Sequence, residues 1–339
     1  MKEFQRVEVG YINTPIEKLE NLTKYLDKGD IYIKRDDMTG LALGGNKTRK
    51  LDYIVKYALD NGYTRLLTYG AAQTNHGRLT IAAAAKFNLD ATLVIEGIKG
   101  KEAEGNLILD CMMGADILYI EKDKEKNVKE YIAQLEAQGE KVFEVVMGGS
   151  SAIGAYGYFK CIEEIINQTN EEDINIDYLI SGYGSTGTFA GLWLGAKYFN
   201  APFEIIGIPV FPTPFSLVDC ANLINELASM LEIDIRCDAS QLDIRGGLTN
   251  NKYAGPSYGK SNEEIREAMY LLAQKEAIIS DPVYTGKVVY GMIDLVSNEL
   301  IDKNKNVMLL HTGGAPSLFT AGHGKTISDD LWEKKTIQK

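Results

Sequence analysis

Much that would assign this chain to a class is scarce or missing. In 339 residues there are four cysteines and three histidines. Cys111, Cys161, Cys220 and Cys237 are widely separated and form no Cys-x-x-Cys pair, so neither a disulfide framework nor a metal site is expected, and they read as reduced thiols packed in a core. No run approaches the roughly 18 apolar residues that span a bilayer. The opening MKEFQRVEVG lacks the apolar centre of a secretory leader, which makes the cytoplasm the expected location. Positive charge is also short: 36 Lys and Arg against 47 Asp and Glu give a net charge of −11. Neither a nucleic-acid backbone nor an anionic membrane is therefore expected as the main partner. No low-complexity segment, long linker or fixed-period repeat divides the chain, so any domain boundary has to be topological.

What is present is ordinary soluble composition, 45% hydrophobic and 24% charged, in a length that suits two domains or one large one. Apolar strands alternate with helices of 10 to 15 residues, as βαβ units do in a parallel sheet. Strands are predicted at 31–34, 65–69, 91–96, 116–120, 142–146, 178–181, 204–210, 277–280 and 307–311. The helices between them include 16–26, 79–87, 105–113, 155–167, 188–199, 262–274 and 286–301. The α/β class follows, with two open, mostly parallel twisted sheets flanked by helices. Residues 63–150 are expected to form a smaller α/β domain, with 1–62 and 151–339 building a larger one.

The chain is organised around Gly44-Gly45-Asn46-Lys47, where a strand and a polar loop lead into a helix with apolar residues at Leu51, Ile54, Val55 and Ala58. Lys47 and Lys50 fall near its first turn, although cations suit the other end of a helix. Beside free helix N–H groups they suggest a phosphate receptor or a lysine held for chemistry. Taken singly, Gly-Gly marks a turn and lysines are common on surfaces. Three further loops are rich in glycine or polar residues: 74–78, 182–188 (GYGSTGT) and 311–316 (HTGGAP). The GYGSTGT run follows a strand and opens a helix, the setting in which backbone N–H groups and hydroxyls cradle a phosphate. It lacks the ending of a Walker loop, and Gly182, Gly184 and Gly187 match the dinucleotide fingerprint only on a generous reading. A lysine beside one glycine-rich turn and a phosphate cup on another is what a pyridoxal phosphate enzyme needs.

The strings KRDDMTGLALGGNKTRKLDY, TNHGRLTIAAAA, SAIGAYGY, DPVYTGK and HTGGAP resemble the D-cysteine desulfhydrase and aminocyclopropane-carboxylate deaminase family, which has the tryptophan synthase β-subunit fold (fold type II). The likeness runs from about residue 30 to 320. It implies the cofactor pyridoxal 5'-phosphate, an amino-acid substrate and a homodimer. Lys47 would be the Schiff-base lysine and the base for the α-proton. Asn75 would bond the cofactor's ring hydroxyl, and Lys50 with Gly184, Ser185, Thr186, Gly187 and Thr188 would hold its phosphate. Thr74, Asn75 and His76 would receive the substrate carboxylate, and Tyr258 and Tyr284 match the family's active-site tyrosines. Thr74 stands where the family commonly has serine, which adds a methyl group and restricts the rotamer. The Asp36-Asp37 pair is expected to be structural, capping a loop or pairing with Arg35 or a lysine.

Two positions separate the family's reactions. The deaminase type resembles DPVYEGK and HLGG, whereas here the variable residues are Thr285 and Thr312. A hydroxyl near the pyridine nitrogen leaves the ring a weaker electron sink than a carboxylate would. That suits β-elimination, so the expected reaction is release of hydrogen sulfide from D-cysteine or a close β-substituted alanine, giving pyruvate and ammonia. The alternatives are 1-aminocyclopropane-1-carboxylate deamination to 2-oxobutyrate, a cysteate sulfo-lyase, and a catalytically silent cofactor carrier.

Overall fold

Strand β2 (Ile31–Lys34) has all four residues buried, as a strand covered on both faces should. The computed structural model, which describes residues 1–248 and 251–337, places it in a five-stranded sheet. Its companions are β1 (Ile16–Lys18), β7 (Tyr178–Tyr183), β8 (Glu204–Pro209) and β9 (Val307–Leu310), in the order β1-β2-β9-β7-β8. Only β1 runs antiparallel to its neighbour. The second sheet is wholly parallel. It contains β3 (Arg65–Tyr69), β4 (Asp90–Glu96), β5 (Asp116–Ile120) and β6 (Val142–Val145), in the order β5-β4-β3-β6.

Helices α1 (Glu20–Leu26), α2 (Lys47–Asp60), α3 (Asn75–Lys86), α4 (Asn106–Met112) and α5 (Lys124–Ala137) belong to the first part of the chain. The second part carries α6 (Ala152–Glu171), α7 (Gly187–Tyr198), α8 (Leu217–Met230), α9 (Glu263–Glu276), α10 (Thr285–Ser297) and α11 (Ala321–Lys335). Side chains alternate across the five-stranded sheet as the pleat requires. Leu179 and Ile205 join the core of α6, α7 and α8, while Ile180 and Ile206 join that of α9 and α10. In the other sheet Leu66, Leu93 and Ile95 pack with Leu51, Ile54 and Val55 of α2 and Ala83 of α3. Each such side chain contributes about 1.5–3 kcal/mol of transfer free energy. Helix α2 thus bridges the two layers, and Gly157 lets α6 press against its start: a Cβ there would lie 2.2 Å from the Arg49 carbonyl oxygen.

The α/β class with two open, mostly parallel sheets is what the structure shows, but several elements differ from expectation. Residues 16–26 are not one helix. Ile16–Lys18 pairs with β2, and the helix begins only at Glu20. Residues 277–280 form no strand: Ala277 ends α9 in the left-handed conformation at φ 56°, and both edges of β9 are already taken by β2 and β7. Helix α3 starts at Asn75, four residues early, because Thr74 caps it by accepting from the Gly77 N–H. Helix α11 was not anticipated, its residues being too polar to show a periodic apolar face.

Asp37 pairs with Arg35 at 2.8 Å. Asp36 instead takes Arg49, with Nε at 2.7 Å and Nη2 at 2.8 Å, and also accepts from Thr14 and Tyr158. Cys161, Cys220 and Cys237 are buried as expected, whereas Cys111 faces solvent. Among the described residues no helix is long and apolar enough to cross a membrane, and no cluster of three or more His, Cys, Asp and Glu could hold a metal.

Candidate active site

The polar loops meet at a cavity of about 300 Å³, within the size range of small-molecule sites. Its wall draws on the strand ends of both sheets. Lys47 enters from the start of α2, partly open to the cavity, and Nζ donates to Asn46 Oδ1 at 3.0 Å. Burial pushes its ammonium down to about 8, so an appreciable fraction is free amine near neutral pH. Gly44 (φ 67°) and Gly45 (φ 134°) let the loop pack closely on its neighbours. A Cβ on Gly44 would strike the Asp37 carbonyl, and one on Gly45 would crowd Leu79 and the Thr312 carbonyl.

Gly184, Ser185, Thr186 and Thr188 form one wall where β7 turns into α7, with Thr186 held at φ 66°. Three hydroxyls at the start of a 12-residue helix thus line one space, while the Gly187 N–H turns to the Ser150 hydroxyl. Gly187 and Lys50 are not on that wall. A Cβ on Gly187 would meet Lys50 Nζ and Ser150 Oγ, each at 2.9 Å, so Lys50 lies directly behind the turn. Its ammonium donates to the Gly148 carbonyl at 3.0 Å, and burial together with Lys47 pushes it well below its ordinary value.

Thr74, Asn75 and His76 line the cavity at the amino end of α3. His76 Nε2 lies 2.8 Å from Thr68 Oγ1, whose own proton goes to the Val145 carbonyl; the ring is therefore the donor. Burial, with Lys47 and Lys50 nearby, holds the imidazole neutral. Tyr258 and Tyr284 also line the cavity, and Phe211 stacks on Tyr258 at 5.2 Å. Thr312 is on the wall, but Thr285 sits behind it with its hydroxyl donated to Asp281 Oδ1 at 2.6 Å. His311 also has a structural place, bonded to Ile279 and Gly313.

Sequence reasoning missed Ser150, which bonds Ser185 at 2.9 Å, and the wall residues Met147, Gly148, Phe211 and Phe215. The Gly148-Gly149 pair after β6 was the available signal; the phenylalanines gave none. The residues present fit pyridoxal 5'-phosphate. A partly deprotonated lysine suits its aldehyde, the helix-start turn suits its phosphate, and Val210 and Phe189 offer apolar contact for a ring.

Two mostly parallel sheets flanked by helices, with a lysine at the cavity between their strand ends, define a fold type II pyridoxal phosphate enzyme. The family model "Pyridoxal-phosphate dependent enzyme" matches residues 7–313, and the chain belongs to that family, on the side that holds D-cysteine desulfhydrases and aminocyclopropane-carboxylate deaminases. It is 36% identical to the "D-cysteine desulfhydrase" of Serratia proteamaculans (strain 568), over 94% of this chain and 96% of the relative. It is 33% identical to the "Putative 1-aminocyclopropane-1-carboxylate deaminase" of Pyrococcus abyssi (strain GE5 / Orsay), over 95% of each. A solved structure described as an "ACC deaminase homologue" superposes with a TM-score of 0.86 at 34% identity, covering 97% of both chains.

Proposed function

We propose that this enzyme eliminates sulfide from D-cysteine or a close β-substituted alanine. With one water consumed, D-cysteine yields pyruvate, ammonia and hydrogen sulfide without net oxidation or reduction. The observation that carries this reading is the absence of any carboxylate side chain among the described residues of the cavity wall, where Thr312 presents a hydroxyl. The bound cofactor supplies the electron sink. A ring nitrogen without an acidic partner makes a weaker sink, adequate when a leaving group carries the electrons away.

In this reading Lys47 carries the cofactor and moves the α-proton. The turn from Gly184 to Thr188 holds the phosphate, with Lys50 supporting it from behind. The amino end of α3, at Thr74, Asn75 and His76, receives the substrate carboxylate, as helix starts receive anions. Asn75 also donates to the cofactor's ring oxygen, and Tyr258 and Tyr284 face the reacting carbon and its leaving group. Lys47 is the only lysine or arginine among the described wall residues, so the sulfonate of cysteate would find no cation of its own. That ranks a sulfo-lyase below a desulfhydrase. Residues 63–150 are taken as the smaller domain and the rest as the larger one, in a cytoplasmic homodimer.

Aminocyclopropane-carboxylate deamination is the second reading, supported by the comparable likeness to the Pyrococcus protein. A panel of D- and L-cysteine, cysteate, β-chloroalanine and aminocyclopropane carboxylate separates the readings. Pyruvate with sulfide from D-cysteine is expected. 2-Oxobutyrate from the cyclopropane substrate, with no sulfide from cysteine, would reverse the order, and no oxo acid from any of them would leave a silent carrier. Sedimentation of the purified protein checks the dimer.

A further inference from the structure

Asn75 Oδ1 receives two donors from the layer behind it, Asn106 Nδ2 at 3.0 Å and Arg78 Nη2 at 3.4 Å. An amide turned the other way would set its own NH2 against both donors and lose both bonds, so one orientation is selected. Its Nδ2 then has no protein partner among the described residues and opens onto the cavity that Asn75 lines.

The two donors are themselves pinned. Asn106, fully buried at the start of α4, sends its other amide hydrogen to the Gln73 carbonyl at 2.9 Å, and its backbone N–H goes to Gln73 Oε1 at 2.9 Å. Arg78, also fully buried, donates to the carbonyls of Ala42 and Gly44, in the loop that leads into Lys47. Asp110, one turn beyond Asn106, is buried with both oxygens unpaired, and its charge is the one that acts on Arg78. Burial lifts its carboxyl to about 7, against the opposing pull of Arg78.

We propose that Asn106 and Arg78 are positioning residues: they lock the Asn75 amide with Nδ2 aimed at the cofactor's ring oxygen, and the same guanidinium fixes the loop before Lys47. This rests on the role proposed for Asn75. A donor at that oxygen favours its ionised form, so losing the donor raises the pH at which the lysine-bound chromophore gives up its proton. One net hydrogen bond corresponds to a shift of about one pH unit.

The test is a spectrophotometric pH titration of the visible band in cofactor-loaded wild type, Asn75→Ala, Asn106→Asp, Asn106→Ala and Arg78→Lys. Asn106→Asp keeps the shape while replacing both amide donors with an acceptor. Arg78→Lys keeps the charge, loses the fork, and serves should the Asn106 variants not fold. The Asn106 and Arg78 variants are expected to move the midpoint upward by about one unit, in the direction of Asn75→Ala. A wild-type midpoint in these variants beside a shifted Asn75→Ala overturns the proposal and leaves the role of Asn75 standing, even where melting temperatures fall. An unshifted Asn75→Ala removes that role and the proposal with it.

Discussion

Tyr258 and Tyr284 hold their hydroxyl oxygens 2.7 Å apart on the cavity wall. Only one of the two donates in that bond, so the other proton remains available to a group in the cavity. Burial raises both phenols, Tyr284 well above its ordinary value, which keeps the pair neutral through the physiological range. The pair is therefore a hydrogen-bonding unit rather than a base. Tyr284→Phe is expected to lower kcat by about a hundredfold. The double Phe variant should be scarcely worse than the more damaged single, because groups that act as a unit are not additive. A steady-state double-mutant cycle measures this, and losses that multiply would show two independent roles.

Lys47 has to be a free amine to capture the cofactor, and burial brings it to about 8 from its ordinary 10.5. Mixing apo-protein with pyridoxal phosphate should give a yellow band whose rate of appearance rises about tenfold per pH unit below that value and levels above it. Lys47→Ala should not form the band at any pH. A borohydride-reducible link between cofactor and protein in that variant would identify another lysine as the anchor.

The glycine-rich turn, the Lys47 loop and the buried strands were legible because each is local: an apolar run ends in glycines and a helix opens. The start of α3 was misplaced because the alanine run, not the Thr74 cap, carried the visible pattern. Residues 277–280 read as a strand on composition, yet a strand needs a free neighbour and β9 had none. The position of Lys50 behind Gly187 was not legible, since only the approach of α6 and α7 to α2 sets that depth. Met147 and Phe211 reach the cavity from separate loops, and no spacing in the sequence joins them to Lys47.

Long-range pairing also decides stability around α2. Arg49 lies between Asp36 and Glu164, and Lys34 Nζ reaches Glu164 at 2.5 Å, all with little or no exposure. Burial alone would raise the Asp36 carboxyl, but the charge and hydrogen bonds of Arg49 outweigh it and hold the group below 3.8. A carboxylate depressed in the folded state contributes stability above its unfolded value, and this is lost as pH falls through the folded value. Asp36→Ala leaves Arg49 short of a buried partner and should cost about 3–5 kcal/mol near pH 7. The gap to wild type should narrow below pH 3.8, where the unfolded-state carboxyl is protonated. Urea midpoints at neutral and acid pH read both, and an unchanged neutral midpoint would show the cluster to be energetically idle.

Asp281 explains how a carboxylate can lie near the site without serving it. Its oxygens accept the N–H groups of Val283, Tyr284 and Thr285 at 2.9, 3.0 and 2.8 Å, and the Thr285 hydroxyl at 2.6 Å. The charge is committed to the start of α10, and the cavity wall is left with the neutral hydroxyl of Thr312. Replacing Thr285 with Glu sets a second carboxylate beside Asp281. Two like charges there cannot both ionise cheaply, so the new group has to take a proton or share one with a ring nitrogen in the cavity. Thr312→Leu removes the hydroxyl that would compete for that nitrogen. The Thr285→Glu, Thr312→Leu double variant is therefore expected to lose sulfide release from D-cysteine by about a hundredfold, or about 2.7 kcal/mol of barrier, and to gain ring-opening activity. Rates on D-cysteine and aminocyclopropane carboxylate, at equal cofactor occupancy, are the measurement. A fully loaded double variant with undiminished sulfide release would show that these two positions do not choose the reaction, and the preference for elimination would lose its chemical basis.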